Sequence, residues 1–278
     1  MFTMKLRKAT LTIATGLTLS LALTACGGGS DSGDGDGKIT IGIKFDQPGV
    51  GLKTPDGEYT GFDVDVATYI AKELGYDAKD IEWKQAPSAE RENLIRNGDV
   101  EFVVASYTIN DERKAKVDFA GPYFLAHQDL LVRTDETKIT KAEDLNSKKL
   151  CSVTGSTSAQ NVKKELAPDA DLQEFGGYSE CLNGLQSGAV DALTTDDAIL
   201  AGFAAQKEHQ GKFKLTGLKL SNEPYGIGLK KGDKELQGKI NKALEKMQKD
   251  GSWDKFVKDN FGSANYKNEP APEITETS

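Results

Sequence analysis

The sequence predicts an α/β chain of two lobes with a crevice between them. Two observations carry this. Strand, loop and helix patterns repeat in two successive sets, and the informative polar residues fall where strands of both sets end. The 278-residue length fits one large domain or two of ordinary size. With 37% hydrophobic and 28% charged residues, the chain can build a real core and is not disordered throughout.

Residues 38–43 alternate and are rich in β-formers, so they read as a first strand. Asp56-Gly57 is a turn signal. Val64, Ala67, Ile70, Ala71 and Leu74 recur at helical spacing, and Gly75 stands where that helix should stop. A strand at 81–84, a helix at 89–97 ended by Gly98, and a strand at 100–105 follow. That βαβαβ order is typical of an open sheet with helices on both faces.

The second set begins after Leu130-Leu131-Val132. A strand at 150–153, a helix at 159–166, a strand at 172–175 and a helix at 179–186 are expected. A strand at 189–193 and a helix at 197–205 complete the set. Leu236, Ile240, Leu244 and Met247, then Trp253, Phe256 and Val257, mark later helices that need a surface to cover. The polar, Pro-containing residues 263–278 have little to bury and are expected to be disordered.

Inventory excludes several functions. The net charge of −8 offers no basic stripe for a nucleic acid. Two histidines (His127, His209) and three cysteines leave little for a metal site or a Cys/His nucleophile, and no phosphate loop follows the Gly-rich stretches. No cofactor, metal or catalytic residue is expected. Asp63 and Asp65, near a helix start, read as a cap and a dipole partner rather than an acid/base pair. Trp83 and Phe119 read as core, and His127 as a satisfied residue near the crossing between lobes.

The N-terminus reads as an export signal: Lys5, Arg7 and Lys8 precede an uncharged stretch at 11–25 too short for a membrane span. Its end, Leu23-Thr24-Ala25-Cys26, resembles the lipobox of bacterial lipoproteins, which implies that Cys26 becomes the lipid-bearing first residue. Residues 27–37 hold six Gly, two Ser and three Asp, a flexible tether. Removing residues 1–25 takes three positive charges and leaves 253 residues at −11. Cys151 and Cys181 then remain. An exported setting permits a bridge between them, with two buried thiols as the alternative.

The segment Ser106-Tyr107-Thr108-Ile109-Asn110-Asp111-Glu112-Arg113 begins at the end of a strand. Its hydroxyls and the planar Arg113 fork suit a carboxylate. Equally, the segment is a helix cap with Arg113 paired to Asp111, Glu112 or Asp118. In open α/β sheets, ligands bind outside the carboxyl ends of strands.

Ser-x-Thr-x-x-x-x-Arg, followed by Val117-Asp118-Phe119 and Gly121-Pro122-Tyr123, resembles the ligand loop of the polar amino-acid solute-binding proteins of ABC importers, solute-binding family 3. Gly61-Phe62-Asp63-Val64-Asp65-Val66-Ala67, Gly155-Ser156-Thr157-Ser158, and Val190-Asp191-Ala192 with Asp196 match further motifs of that family, in order, from about 38 to 262. The resemblance implies a type II periplasmic-binding-protein (Venus-flytrap) fold with a two-strand hinge, crossing near 127–133 and 223–229. Lobe 1 would combine 38–128 with 227–262, and lobe 2 would hold 129–226.

It also implies roles. Arg113, helped by Ser106, Thr108 and Thr157, would bind the ligand α-carboxylate, and Asp196 the α-ammonium. A buried zwitterion requires one partner of each sign. Lys44, where cation binders of the family carry a carboxylate, and Arg91, 22 residues before Arg113, suit a second carboxylate. Gln47 and Lys53 are weaker candidates. The expected ligand is therefore L-glutamate or L-aspartate. The alternatives are glutamine or another polar amino acid, an exported dehydratase-type enzyme on the same fold, or a sensory ectodomain. The implied partners are an ABC permease and its ATPase, with a membrane reached through the N-terminal lipid and the chain a monomer.

Overall fold

In a computed structural model of the protein, residues 37–277 are described. The signal sequence, Cys26 and all of the tether except Gly37 lie outside them. Strand β1 (Ile39–Ile43) alternates as its sequence requires, with Ile39, Ile41 and Ile43 all buried. Strands β2 (Asp46–Gln47), β3 (Gly51–Lys53) and β4 (Tyr59–Thr60) form a small antiparallel sheet that periodicity did not reveal. Helix α1 (Phe62–Glu73) starts after Gly61, where φ is 124° and a Cβ would lie 2.3 Å from the Val50 carbonyl oxygen. Only glycine fits there.

Strand β5 (Ile81–Gln85) and strand β6 (Phe102–Val103) flank β1 in parallel, joined through helix α2 (Arg91–Asn97). Strand β6 is shorter than the expected 100–105 stretch, and its chain turns out of the sheet toward Ser106. Helix α3 (Asp111–Lys114) is a single turn whose cap, the Asn110 side chain, accepts from the Arg113 amide. Strand β7 (Asp118–Arg133) runs 16 residues.

The second set comprises strand β8 (Lys149–Val153), helix α4 (Thr157–Asn161), strand β9 (Asp171–Phe175), helix α5 (Tyr178–Ser187), strand β10 (Ala192–Asp196) and helix α6 (Asp197–Ala205). Helix α4 starts two residues before the expected 159 and widens into a π turn at Val162–Leu166. Strand β10 starts three residues after the expected 189. Gly188 adopts a left-handed conformation, and the amides of Ala189 and Val190 return to the Gly184 carbonyl. Strands β11 (Phe213–Leu215) and β12 (Ser221–Leu229) precede helices α7 (Lys234–Lys249) and α8 (Ser252–Phe261).

The nine-stranded sheet has the order β5-β1-β6-β12-β7-β10-β8-β9, with β11 on β7. Strand β7 pairs antiparallel with β12 over most of its length, then with β10 from Gln128 onward. These two strands therefore carry the chain between two α/β lobes, the two-strand arrangement the fold class requires. On the first lobe, α1, α7 and α8 close over an aromatic cluster. Phe62 lies 5.0 Å from Phe124, and Trp253 Nε1 donates to the Tyr123 carbonyl at 2.8 Å. Each such ring, fully buried, contributes about 1.5–3 kcal/mol.

In the second lobe, Cys151 on β8 and Cys181 on α5 are joined in a disulfide. On the chain-entropy argument the bridge adds about 3–4 kcal/mol. Among the described residues no helix is long and apolar enough to cross a membrane.

The tail corrects an expectation. Residues 266–277 are not disordered. The amides of Thr275 and Glu276 donate to the Gly121 carbonyl at 2.9 Å. Gln237 and Asn241 on α7 donate to the Glu276 carbonyl, and the Tyr266 hydroxyl donates to Asp197 on α6 at 2.9 Å. The segment has few apolar side chains; its backbone makes many of the attachments, and Tyr266, 5.4 Å from Phe261, and Ile274 pack against the core.

Candidate functional site

The end of β6, the start of α2, helix α3 and the loops that open α4 and α6 meet in one narrow cleft, closed down to about 10 Å³. Arg91, Ser106, Arg113, Thr157 and Asp196 line it, together with Ser88, Tyr178 and Ile199, which sequence reasoning did not single out. Lys44 comes to the same place through Ser88, to whose hydroxyl its Nζ donates at 2.7 Å. On its other side Lys44 borders the crevice mouth, with Asp46 and Gly177.

Ser106 is the pivot of the first wall. Its φ of 44° is unusual for a residue with a Cβ. The conformation is held from three sides. The Ser106 amide donates to Asp63 at 2.7 Å, its hydroxyl donates to Gln47 at 3.0 Å, and its carbonyl accepts from Arg91 at 3.2 Å. Asp63 is therefore not the helix cap expected; its other oxygen accepts from the Tyr123 hydroxyl at 2.6 Å. Burial pushes the Asp63 carboxyl up to about 6. Asp65 accepts from Asn260.

Two guanidiniums share the ring of Tyr107, Arg91 at 4.1 Å and Arg113 at 5.0 Å. Arg91 is 2% exposed, donates to the carbonyls of Ala105 and Ser106, and keeps a buried Nε without a partner. Gln47 Nε2 is likewise buried and unpaired. Both are donors, and an unpaired buried donor costs about 1–3 kcal/mol. Arg113 donates to the Thr108 carbonyl at 2.6 Å and to the Gly155 carbonyl across the cleft at 3.1 Å. Burial and the nearby Arg91 charge lower its pKa to about 10, so it stays cationic at neutral pH. Lys44 is held well below the usual lysine range by burial and then by Arg91. Arg113 also lies 3.8 Å from Glu92 on α2, whereas Asp111, Glu112 and Asp118, the partners its sequence offered, pair with lysines.

On the second wall Asp196 accepts from the Tyr225 hydroxyl at 2.6 Å. Burial, then the charge of Glu223, raises its pKa well above the normal carboxylate range. Glu223 is the residue that sequence reasoning missed. It is 2% exposed on β12, and its Oε2 accepts from Thr108 at 2.7 Å and from Thr157 at 2.8 Å, one hydroxyl from each wall. Its other oxygen accepts from Ser221 at 2.6 Å. Its sequence signal is weak, a single acid that follows Ser221 and Asn222 at the polar start of β12.

The walls meet at places without side chains. A Cβ on Gly155 would lie 2.8 Å from the Ala89 Cα, one on Gly177 2.6 Å from Asp46, and one on Gly202 1.9 Å from the Pro48 carbonyl oxygen. The Tyr178 amide donates to Asp46 at 2.9 Å across the same seam. Lys53 stands apart, over the rings of Phe45 and Tyr59 at 5.5 Å. His127 lies behind the cleft, 3.5 Å from Asp197 and 3.7 Å from Glu269.

A cleft of opposed charges between two strand-linked lobes is the geometry of a capture site for a small zwitterion. Residues 39–263 match the family of bacterial extracellular solute-binding proteins, family 3. The chain belongs to that family. It is 48% identical to the glutamate-binding protein GluB of Corynebacterium efficiens, over 81% of this chain and 79% of that protein. It is 44% identical to the glutamine-binding protein GlnH of Bacillus subtilis, over 80% of each. Among solved structures it resembles an ancestral arginine-binding protein bound to glutamine. That likeness has a TM-score of 0.75 and 40% identity, and covers 81% of this chain and 98% of that one. As a family member the chain is an extracytoplasmic amino-acid receptor for an ABC importer, with the type II periplasmic-binding-protein fold.

Proposed function

We propose that the protein captures an acidic amino acid, glutamate or aspartate, and delivers it to an ABC permease and its ATPase by closing its lobes. The observation that carries this reading is the convergence of Lys44, Arg91 and Arg113 on one wall, with Asp196 on the facing wall. Two buried guanidiniums and an amine that a carboxylate would recharge exceed what one α-carboxylate requires, and the unpaired donors of Arg91 and Gln47 suit an acceptor. In this reading Arg113 binds the α-carboxylate, joined by Ser106 once its hydroxyl proton turns from Gln47; Asp196 takes the α-ammonium, and Lys44 and Arg91 the side-chain carboxylate. The likeness to GluB supports the same ligand class.

The reading takes residues 38–128 with 227–262 as one lobe and 129–226 as the other, because β7 and β12 carry the chain across. It takes the protein as a monomer tethered to the cell membrane by lipid on Cys26. The likeness to GlnH favours a second reading, in which glutamine is the ligand and the extra cations are held by protein carbonyls.

Titration calorimetry with glutamate, aspartate, glutamine, histidine and arginine separates the two. Tight glutamate binding that weakens at least tenfold in Lys44→Ala and Arg91→Ala supports the first reading. Preferred binding of glutamine overturns it and leaves the transport role standing.

A further inference from the structure

The chain that follows α8 is bonded to both lobes. Asn265, at φ 53°, turns it out of the last helical turn. The Tyr266 ring stays on lobe 1, 5.4 Å from Phe261 and 6.4 Å from Phe124. Its hydroxyl, however, donates at 2.9 Å to Asp197, which opens α6 in lobe 2. The same Asp197 oxygen accepts from the His127 amide of β7 at 3.0 Å, so one carboxylate joins the tail, lobe 2 and a hinge strand. Three residues on, Glu269 accepts from Lys219 of lobe 2 at 2.9 Å and lies 3.7 Å from the His127 ring. The tail then returns to lobe 1. The Pro272 carbonyl accepts from Gln248 on α7 at 3.0 Å, and the amides of Thr275 and Glu276 reach Gly121. Both ends of the segment are thus held by lobe 1, and its middle grips lobe 2.

We infer that residues 266–269 are a clasp that favours the closed arrangement of the lobes, so that the tail raises ligand affinity without touching the ligand. It rests on the proposed lobe closure and adds a device outside the cleft. The bonds of the clasp coexist with contacts that belong to closed lobes, from Arg113 to the Gly155 carbonyl and from the Tyr178 amide to Asp46. Turning lobe 2 about β7 and β12 carries Asp197 and Lys219 away, while ring packing and the return leg keep the tail with lobe 1. Contacts made in only one of two states shift the balance toward that state. The Tyr266–Asp197 bond is the stronger half, because its acceptor is a carboxylate only 8% exposed. The Lys219–Glu269 pair is more exposed and contributes less.

The test uses the full chain with Tyr266→Phe, Glu269→Gln and the two together. Tyr266→Phe keeps the ring and removes only the hydroxyl. Glutamate and glutamine are titrated by calorimetry, and the ligand-free proteins are measured by X-ray scattering. The double variant should bind the amino acid threefold to tenfold more weakly, or show a larger ligand-free radius of gyration, with each single variant in between. Gln248→Ala removes one bond of the return leg within lobe 1 and should move neither quantity, even where it lowers the melting temperature.

Unchanged affinity and unchanged radius in the double variant overturn the inference, as does tighter binding. So does a loss in Gln248→Ala equal to that of the double variant, which marks a merely structural tail. Where the double variant fails to fold, the single variants decide by the same readouts. If neither amino acid binds the unsubstituted protein, the receptor reading fails, and ligand-free scattering alone decides the clasp: a larger radius in the double variant supports it, and an equal radius overturns it.

Discussion

Arg113 and Gly155, 42 residues apart in sequence, meet across the cleft, where the Arg113 guanidinium donates to the Gly155 carbonyl at 3.1 Å. The proposed ligand anchor is thus also a contact between the lobes. Arg113→Ala should remove both functions and cost on the order of 3–5 kcal/mol of binding, because a buried carboxylate loses its partner. Arg113→Lys keeps the charge without the planar fork and should fall between. Calorimetry on both variants is the check, and binding unchanged in the alanine variant would remove Arg113 from the site.

Gly155 sits at φ +79° with no room for a side chain against Ala89. Gly155→Ala should hold the lobes apart and weaken ligand binding by at least tenfold, with only about 1–2 kcal/mol lost in stability to the backbone conformation. X-ray scattering at saturating ligand should give a larger radius of gyration than the unsubstituted protein. An unchanged radius and affinity would show that the seam tolerates a methyl.

Lys44 should report the charge of the ligand. Burial and Arg91 hold its pKa well below the ordinary value. An arriving carboxylate favours the charged ammonium and so raises that pKa. Glutamate binding should therefore take up protons, and its affinity should fall as the pH rises; glutamine binding should show neither. Titrations in buffers of different ionisation enthalpy measure the uptake, and uptake that survives in Lys44→Met would assign it elsewhere.

Asp63 predicts the pH dependence of folding. Its carboxyl rises from 3.8 to about 6 on burial, so between those values the folded state holds a proton that the unfolded chain has released. Stability contributed by this group is present at low pH and lost as the pH rises through that window, by on the order of 3 kcal/mol. Asp63→Asn should flatten that part of the profile. Urea denaturation between about pH 4 and 7 compares the two proteins, and parallel profiles would count against Asp63 as the source.

The tail ties residues 266–277 to Gly121, α7 and α6 by backbone and side-chain bonds. A chain ending at 265 should unfold at a temperature lower by several degrees, since each kcal/mol shifts a chain of this size by about 2–4 °C. Calorimetric scans give the difference, and coincident transitions would mean that the tail contributes nothing to the fold.

Much of this was legible in the sequence. The alternation at 38–43 and the 3.6-residue period from Val64 are one-dimensional signals, and helix α6 spans the 197–205 expected. Arg91, Ser106, Arg113, Thr157 and Asp196 could be named because they stand in motifs at strand ends, and the structure brings them to one cleft. What was not legible depends on pairings that no local pattern encodes. Glu223 takes its meaning from a hydroxyl 115 residues away. Asp63 reads as a helix cap until the Ser106 amide, 43 residues on, turns out to hold it. The tail looks like solvent-exposed chain because composition records side chains, and many of its attachments are carbonyls and amides.

The Cys151–Cys181 bridge ties α5 to the sheet one turn beyond Tyr178, the residue whose amide clasps Asp46 on the opposite wall. Oxidation therefore stiffens one jaw of the clasp. Such bridges persist where thiols are scarce, outside the cytoplasm, and are rare inside it. A chain still waiting for export should then be a weaker trap than the finished one, and so a poor thief of the amino acids the cell has already gathered. Titration before and after reduction with dithiothreitol measures that difference in grip.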